Sequence, residues 1–243
     1  MRKYFVISLF ITFVLVACGG DKKGTMQNEE WIFAPPAGIA LDTVAIDTMD
    51  IKNPFICYER KNDCYYMLGD GGLMWVSADL HNWVGPYDVL EQDTTSWIGA
   101  SPIITSPEIH RFAGKYYYMA TFERPDVMVA DADGKPFARR SCVALVADDI
   151  RGPYRTIDSN SSLLVESEMA AHPTFGVDYY GASYMIYTHQ GEQNGDGTVQ
   201  IVRFSDDLGR RVGEAYIMFS AVDNVWSGEC VDDERVFSPV MEA

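Results

Sequence analysis

Three polar residues, each directly followed by proline, stand far apart in the chain: Asn53 before Pro54, Ser106 before Pro107 and His172 before Pro173. An amide, a hydroxyl and an imidazole can all hydrogen-bond the hydroxyls of a ligand, and only the imidazole titrates near neutral pH. The amide of Asn53 can orient a water but cannot take its proton. The chain around each pair follows one plan. "NPFICYERKNDCYYML" (53–68), "SPEIHRFAGKYYYMAT" (106–121) and "HPTFGVDYYGASYMIYT" (172–188) each run polar residue, proline, apolar strand, tight turn of Asp, Gly or Asn, then a Tyr-Met strand. Proline is tolerated at the start of a strand because its missing N–H need not join the ladder there.

The elements that would position these residues are strands. Short runs of Tyr, Val, Ile and Phe are bounded by Gly, Pro, Asn and Asp, and no long stretch keeps an apolar period of 3.6. A second unit follows each hairpin: "WVSADLHNWVGPYDVL" (75–90), "LVADDIRGPYRTI" (145–157) and "VRFSDDLGRRVGEAYIMF" (202–219) each join a strand through an acidic turn to a Gly-led outer strand. A repeat of four antiparallel strands predicts a β-propeller, whose blades surround a central channel. A β-sandwich accounts for the strands but not for the repeated order of units. In a propeller the innermost strand of each blade begins at the channel, so Asn53, Ser106 and His172 are expected to line one axial funnel.

The formal net charge of −16 argues against a nucleic-acid partner, which would require a basic face. At the N-terminus, Arg2-Lys3 precedes a short apolar stretch running into Leu15-Val16-Ala17-Cys18. That order resembles a bacterial lipobox, which implies diacylation of Cys18 and a mature chain anchored in a membrane. Residues 1–17 are then a signal peptide, 18–44 the lipidated cysteine and a flexible tether, and 45–243 the propeller segment. A lipid-anchored place in the envelope of a Gram-negative-type bacterium follows, periplasmic or surface-exposed. Of the other cysteines, Cys142 and Cys230 stand apart, while Cys57 and Cys64 flank one short loop. An oxidising compartment permits a bridge between Cys57 and Cys64, and buried thiols are the other reading.

The segments "DIKNPFI…CYYMLG", "SPEIHRFAGKYYYMATF", "VADDIRGPY" and "DYYGASYMIYTHQGEQNGDGTVQIVRFSDDLGRRVGEAYIMF", in this order over residues 45–243, resemble glycoside hydrolase family 43. The resemblance implies an all-β, five-bladed β-propeller, of which this chain holds about three and a half blades and an unfinished ring. It implies inverting hydrolysis of O-glycosyl bonds in arabinose- or xylose-containing polysaccharide, with no cofactor and a monomeric chain. Family members use an Asp as general base, a second Asp that tunes the acid, and a Glu as general acid. Here the base position falls on Asn53 and the tuning position on His172, while Glu242 in "VMEA" is the candidate acid. Two substituted carboxylates put turnover in doubt, so a silent glycan-binding propeller is the alternative.

Four further residues are candidates for substrate contact. Trp97 could stack on a sugar face or pack in the core. Ser106 lines the funnel, Glu108 could meet sugar hydroxyls or make a structural hydrogen bond, and His189 ends an inner hairpin near the axis. His110 is expected on a blade surface and Arg139-Arg140 in a solvated turn. The acidic pairs Asp148-Asp149 and Asp206-Asp207 read as turn chemistry rather than calcium ligands.

Overall fold

The computed structural model describes residues 42–223 apart from 92, 132, 158–168, 190, 192–196 and 222. Its strands are β1 (Asp42–Ala45), β2 (Phe55–Glu59), β3 (Cys64–Leu68), β4 (Leu73–Ser77), β5 (Asn82–Asp88), β6 (Ile103–Phe112), β7 (Lys115–Ala130), β8 (Pro136–Ala147), β9 (Arg155–Thr156), β10 (Ala170–Val177), β11 (Ser183–His189), β12 (Thr198–Phe204) and β13 (Arg211–Ser220). They form three antiparallel sheets, ordered β1-β5-β4-β3-β2, β6-β7-β8-β9 and β10-β11-β12-β13. These are three successive blades of a β-propeller, with β2, β6 and β10 innermost. The half-blade expected beyond them, like Cys18, Cys230 and Glu242, lies outside the described residues.

Two hydrophobic layers hold the blades face to face. Along β7, Tyr116, Tyr118, Ala120 and Phe122 join a cluster with Tyr66, Leu68, Met74 and Val76 of the first blade. The alternate residues Tyr117 and Met119 join Met185, Tyr187, Val202 and Phe204 of the third. The period of two sends successive side chains to opposite faces, and here both faces are covered. That is why "YYYMATF" reads as an unbroken apolar run rather than an alternation.

Each acidic turn is tied by its own side chains. In the first blade Asp79 accepts the N–H groups of His81 and Asn82, each at 2.8 Å. In the third, Asp207 accepts from Ser205 Oγ at 2.6 Å and from the Gly209 N–H at 3.1 Å.

Two local expectations need correction. The tether expected to reach residue 44 gives way to β1 at Asp42, which pairs with β5 and adds a fifth, outermost strand to the first blade. Arg139 and Arg140 lie within β8 rather than in a turn, and both are half-buried. Cys57, Cys64 and Cys142 are thiols. In the β2–β3 ladder Cys64 pairs with Glu59 and Cys57 with Tyr66, so the two cysteines sit diagonally rather than opposed. Burial, then the charge of Glu59, pushes the Cys57 thiol up to about 12.

Candidate active site

The three pre-proline residues share one unusual backbone state. Asn53, Ser106 and His172 have φ of 48°, 50° and 52°, in the left-handed region that side chains disfavour. On β6 and β10 an extra residue is inserted at this point, because the pairing shifts register between Thr105 and Glu108 and again between Ala171 and Thr174. Such bulges bend the strand and re-aim a side chain, and they recur beside active sites. Non-glycine residues held with positive φ also cluster where function requires it.

A hydrogen-bonded chain then connects all three across the blades. Asn53 Nδ2 donates to both carboxylate oxygens of Asp70, at 3.0 Å to Oδ1 and 2.9 Å to Oδ2. The Ser106 N–H donates to Asp70 Oδ1 at 2.9 Å. Ser106 Oγ lies 2.8 Å from His172 Nδ1. Finally the His172 N–H donates to Thr121 Oγ1 at 2.8 Å. Burial, then the Arg140 guanidinium, lowers the His172 pKa below its ordinary value, and Asp70 only partly opposes them. The imidazole is therefore neutral at pH 7 and acts as a polar hydrogen-bonding wall rather than as a cation.

Asp70 is the residue that sequence reasoning missed. It sits in the β3–β4 turn "GDGG", where an aspartate between glycines reads as turn chemistry. Its own N–H donates to Lys52 O at 3.0 Å and the next N–H, of Gly71, to Ile104 O at 2.8 Å. The turn is thus stitched to the approach of β2 on one side and to β6 of the next blade on the other. Thr121 was also missed, since nothing in "YYYMAT" separates a strand threonine from a site residue.

The other candidates are placed as follows. Glu108 Oε2 accepts from Thr174 Oγ1 at 2.8 Å and lies 2.6 Å from His110 Nε2, so it joins the second and third blades. His110 is not on a blade surface; its ring sits between Phe55 and Phe175, with centroids 5.6 and 5.5 Å away. Trp97 is half-buried against the first core cluster, its carbonyl accepts from Arg124 Nη1, and the Arg139 guanidinium lies 5.9 Å from its ring centroid. One face of that indole is therefore engaged in a cation–π contact. His189, half-buried at the end of β11, pairs with Ala170 and Thr198 in the ladders. The site as described is a neutral-to-acidic cradle of amide, carboxylate, hydroxyl and imidazole at the channel ends of three inner strands.

Comparison with known proteins fits this architecture. The profile of the family described as Glycosyl hydrolases family 43 matches residues 45–232. The fold is similar to an endo-arabinase from Bacteroides thetaiotaomicron VPI-5482, with a TM-score of 0.63 at 20% identity, covering 74% of this chain and 60% of that one. It is also similar to a thermostable family-43 glycoside hydrolase, with a TM-score of 0.52 at 17% identity over 70% of this chain and 53% of that one. An endo-1,4-beta-xylanase from Bacteroides thetaiotaomicron VPI-5482 aligns with a TM-score of 0.50 at 18% identity, over 69% of this chain and 52% of that one. The chain thus spans a little over half the length of these enzymes. No protein of curated function matches the sequence.

Proposed function

Because the chain belongs to glycosyl hydrolase family 43, we propose that it acts on the O-glycosyl bonds of a pentose-containing polysaccharide from a lipid-anchored position in the cell envelope. The observation that carries the reading is the convergence of Asn53, Asp70, Ser106 and His172 through hydrogen bonds that cross blade boundaries. A saccharide ring presents hydroxyls in several directions, and such a cradle offers donors and acceptors together. Endo-arabinase and endo-1,4-beta-xylanase among its structural neighbours support an arabinan or xylan chain, and a beta 1,3 galactosidase among them makes a galactan the comparison substrate.

In this reading Asn53 occupies the family's base position, His172 the acid-tuning position, and Glu242 is the acid. A neutral imidazole cannot raise the pKa of a neighbouring acid by like-charge repulsion as a carboxylate does. That observation favours a second reading, in which the funnel binds glycan without cutting it.

One pair of measurements decides between them. Calorimetric titration with arabinan, arabinoxylan and xylo-oligosaccharides should show saturable heat, and release of reducing ends should accompany it. Heat without release selects the binding module. A flat thermogram for a chain with a folded circular dichroism spectrum rejects glycan recognition altogether.

A further inference from the structure

We propose that Asp70 is the proton-accepting carboxylate of this funnel, standing in for the one that residue 53 lacks. The proposal rests on the hydrolase reading and assigns its base.

Position carries the first part of the argument. Both oxygens of Asp70 lie within 3.0 Å of Asn53 Nδ2, so the carboxylate is displaced from the side chain of residue 53 by a single hydrogen bond. Anchoring carries the second. The Asp70 backbone is tied to Lys52 and, through Gly71, to Ile104, while the Ser106 N–H holds Oδ1. A group fixed by two blades is pre-organised as a catalytic carboxylate must be.

Capacity carries the third. An ionised carboxylate offers about four acceptor positions. Three hydrogen bonds reach Asp70 from the described residues, two on Oδ1 and one on Oδ2, and no cation pairs with it among them. Oδ2 keeps one acceptor position unused by the described residues, and the residue is only half-buried. The amide of Asn53 has one compatible orientation, because its oxygen turned toward Asp70 would set two acceptors against each other. With Nδ2 facing Asp70, its Oδ1 faces away and can accept the water's second hydrogen.

The water oxygen bonds to the anomeric carbon as the bond to the leaving oxygen breaks, the water's proton passes to Asp70 Oδ2, and the leaving oxygen of a glycoside takes its proton from the general acid that the hydrolase reading requires. With a glycosyl fluoride as substrate the leaving group departs as fluoride and needs no proton from any acid. The base is thereby tested by itself.

The same geometry sets the logic of the variants. An aspartate at position 53 would face Asp70 across about one hydrogen-bond length, and two carboxylates so close share a proton rather than both ionising. Asn53→Asp alone is therefore expected to help little, whereas the exchange Asn53→Asp with Asp70→Asn moves the carboxylate and keeps the pair.

The test uses the full chain with arabinofuranosyl and xylopyranosyl fluorides, reading fluoride release, with calorimetry on arabino- and xylo-oligosaccharides alongside. Asp70→Asn should lower kcat by about 10²–10⁴-fold, a larger loss than the one it causes in oligosaccharide affinity. Added azide, an anion that needs no deprotonation, should restore turnover and yield the glycosyl azide of inverted configuration. The exchanged double variant should recover turnover to within about tenfold of the parent, on the same scale of base effects. Undiminished turnover in Asp70→Asn overturns the proposal, and so does a parent chain that binds oligosaccharide but releases no fluoride. Absence of binding in the parent is a different result, since it removes the glycan reading itself. Should Asp70→Asn misfold, the double variant and the azide response of Asp70→Ala carry the same decision.

Discussion

His172 is neutral because burial and Arg140 disfavour its charged form. The lowered pKa means that the unfolded chain binds more protons than the folded one between the unfolded value of about 6.5 and the lower folded value. Stability is complete above the unfolded pKa and declines as pH falls through the folded one. Thermal midpoints should therefore drop on acidification from about pH 7.5 to about pH 5.5, and His172→Gln should make that slope shallower. A second buried group tests the opposite chemistry. The hydroxyl of Tyr116, in the second blade, donates to the carboxylate of Glu59 in the first, which is only 6% exposed. Burial works against ionisation of Glu59. The Tyr116 and Lys61 N–H hydrogen bonds, with the charges of Arg111 and Lys61, outweigh it and hold the carboxyl below its usual value. Tyr116→Phe should cost about 1.5–3 kcal/mol at neutral pH in urea denaturation, and less in acid, because the stabilisation is lost as pH falls through the folded pKa.

At the scale of the element, the left-handed bulge is the device that turns a strand into a site. Ser106→Ala and Ser106→Gly both remove the hydroxyl, so their difference isolates the backbone. Glycine should be the more stable by roughly 0.5–1 kcal/mol, since a Cβ is disfavoured at φ of 50°. Equal stabilities would mean that the positive φ is not maintained in solution. Much at this scale was legible in the sequence. The repeated order of polar residue, proline, strand, turn and Tyr-Met strand fixes β2–β3, β6–β7 and β10–β11 and places the three leading side chains together. What escaped is instructive. Asp70 comes from a turn between the second and third strands of a blade, where no periodicity marks a side chain as facing inward. β1 escaped because four residues carry too little pattern, and its pairing with β5 is fixed by tertiary contact. His110 and Arg139 were misread for a related cause. A charged or titratable residue on a strand looks solvated until the facing blade, with Phe55, Phe175 or Trp97, is in place.

For the whole molecule, electrostatics and anchoring govern behaviour. A formal net charge of −16 is self-repulsive in the compact state, so thermal midpoints should rise as ionic strength increases from low to physiological values. If lipidation at Cys18 holds the chain to a membrane, Cys18→Ala should move it from the membrane pellet to the soluble fraction. Retention in the pellet by the variant would remove the anchor from the account. The shared conformation at Asn53, Ser106 and His172 reaches beyond any single variant. Asparagine and aspartate are the side chains, after glycine, that settle most readily into that turn of the main chain. Exchanging one for the other swaps a single oxygen for nitrogen and asks no rearrangement of the scaffold. A carboxylate can then pass between the strand edge and the neighbouring turn by paired exchange at residues 53 and 70, with the architecture indifferent to which of the two carries it.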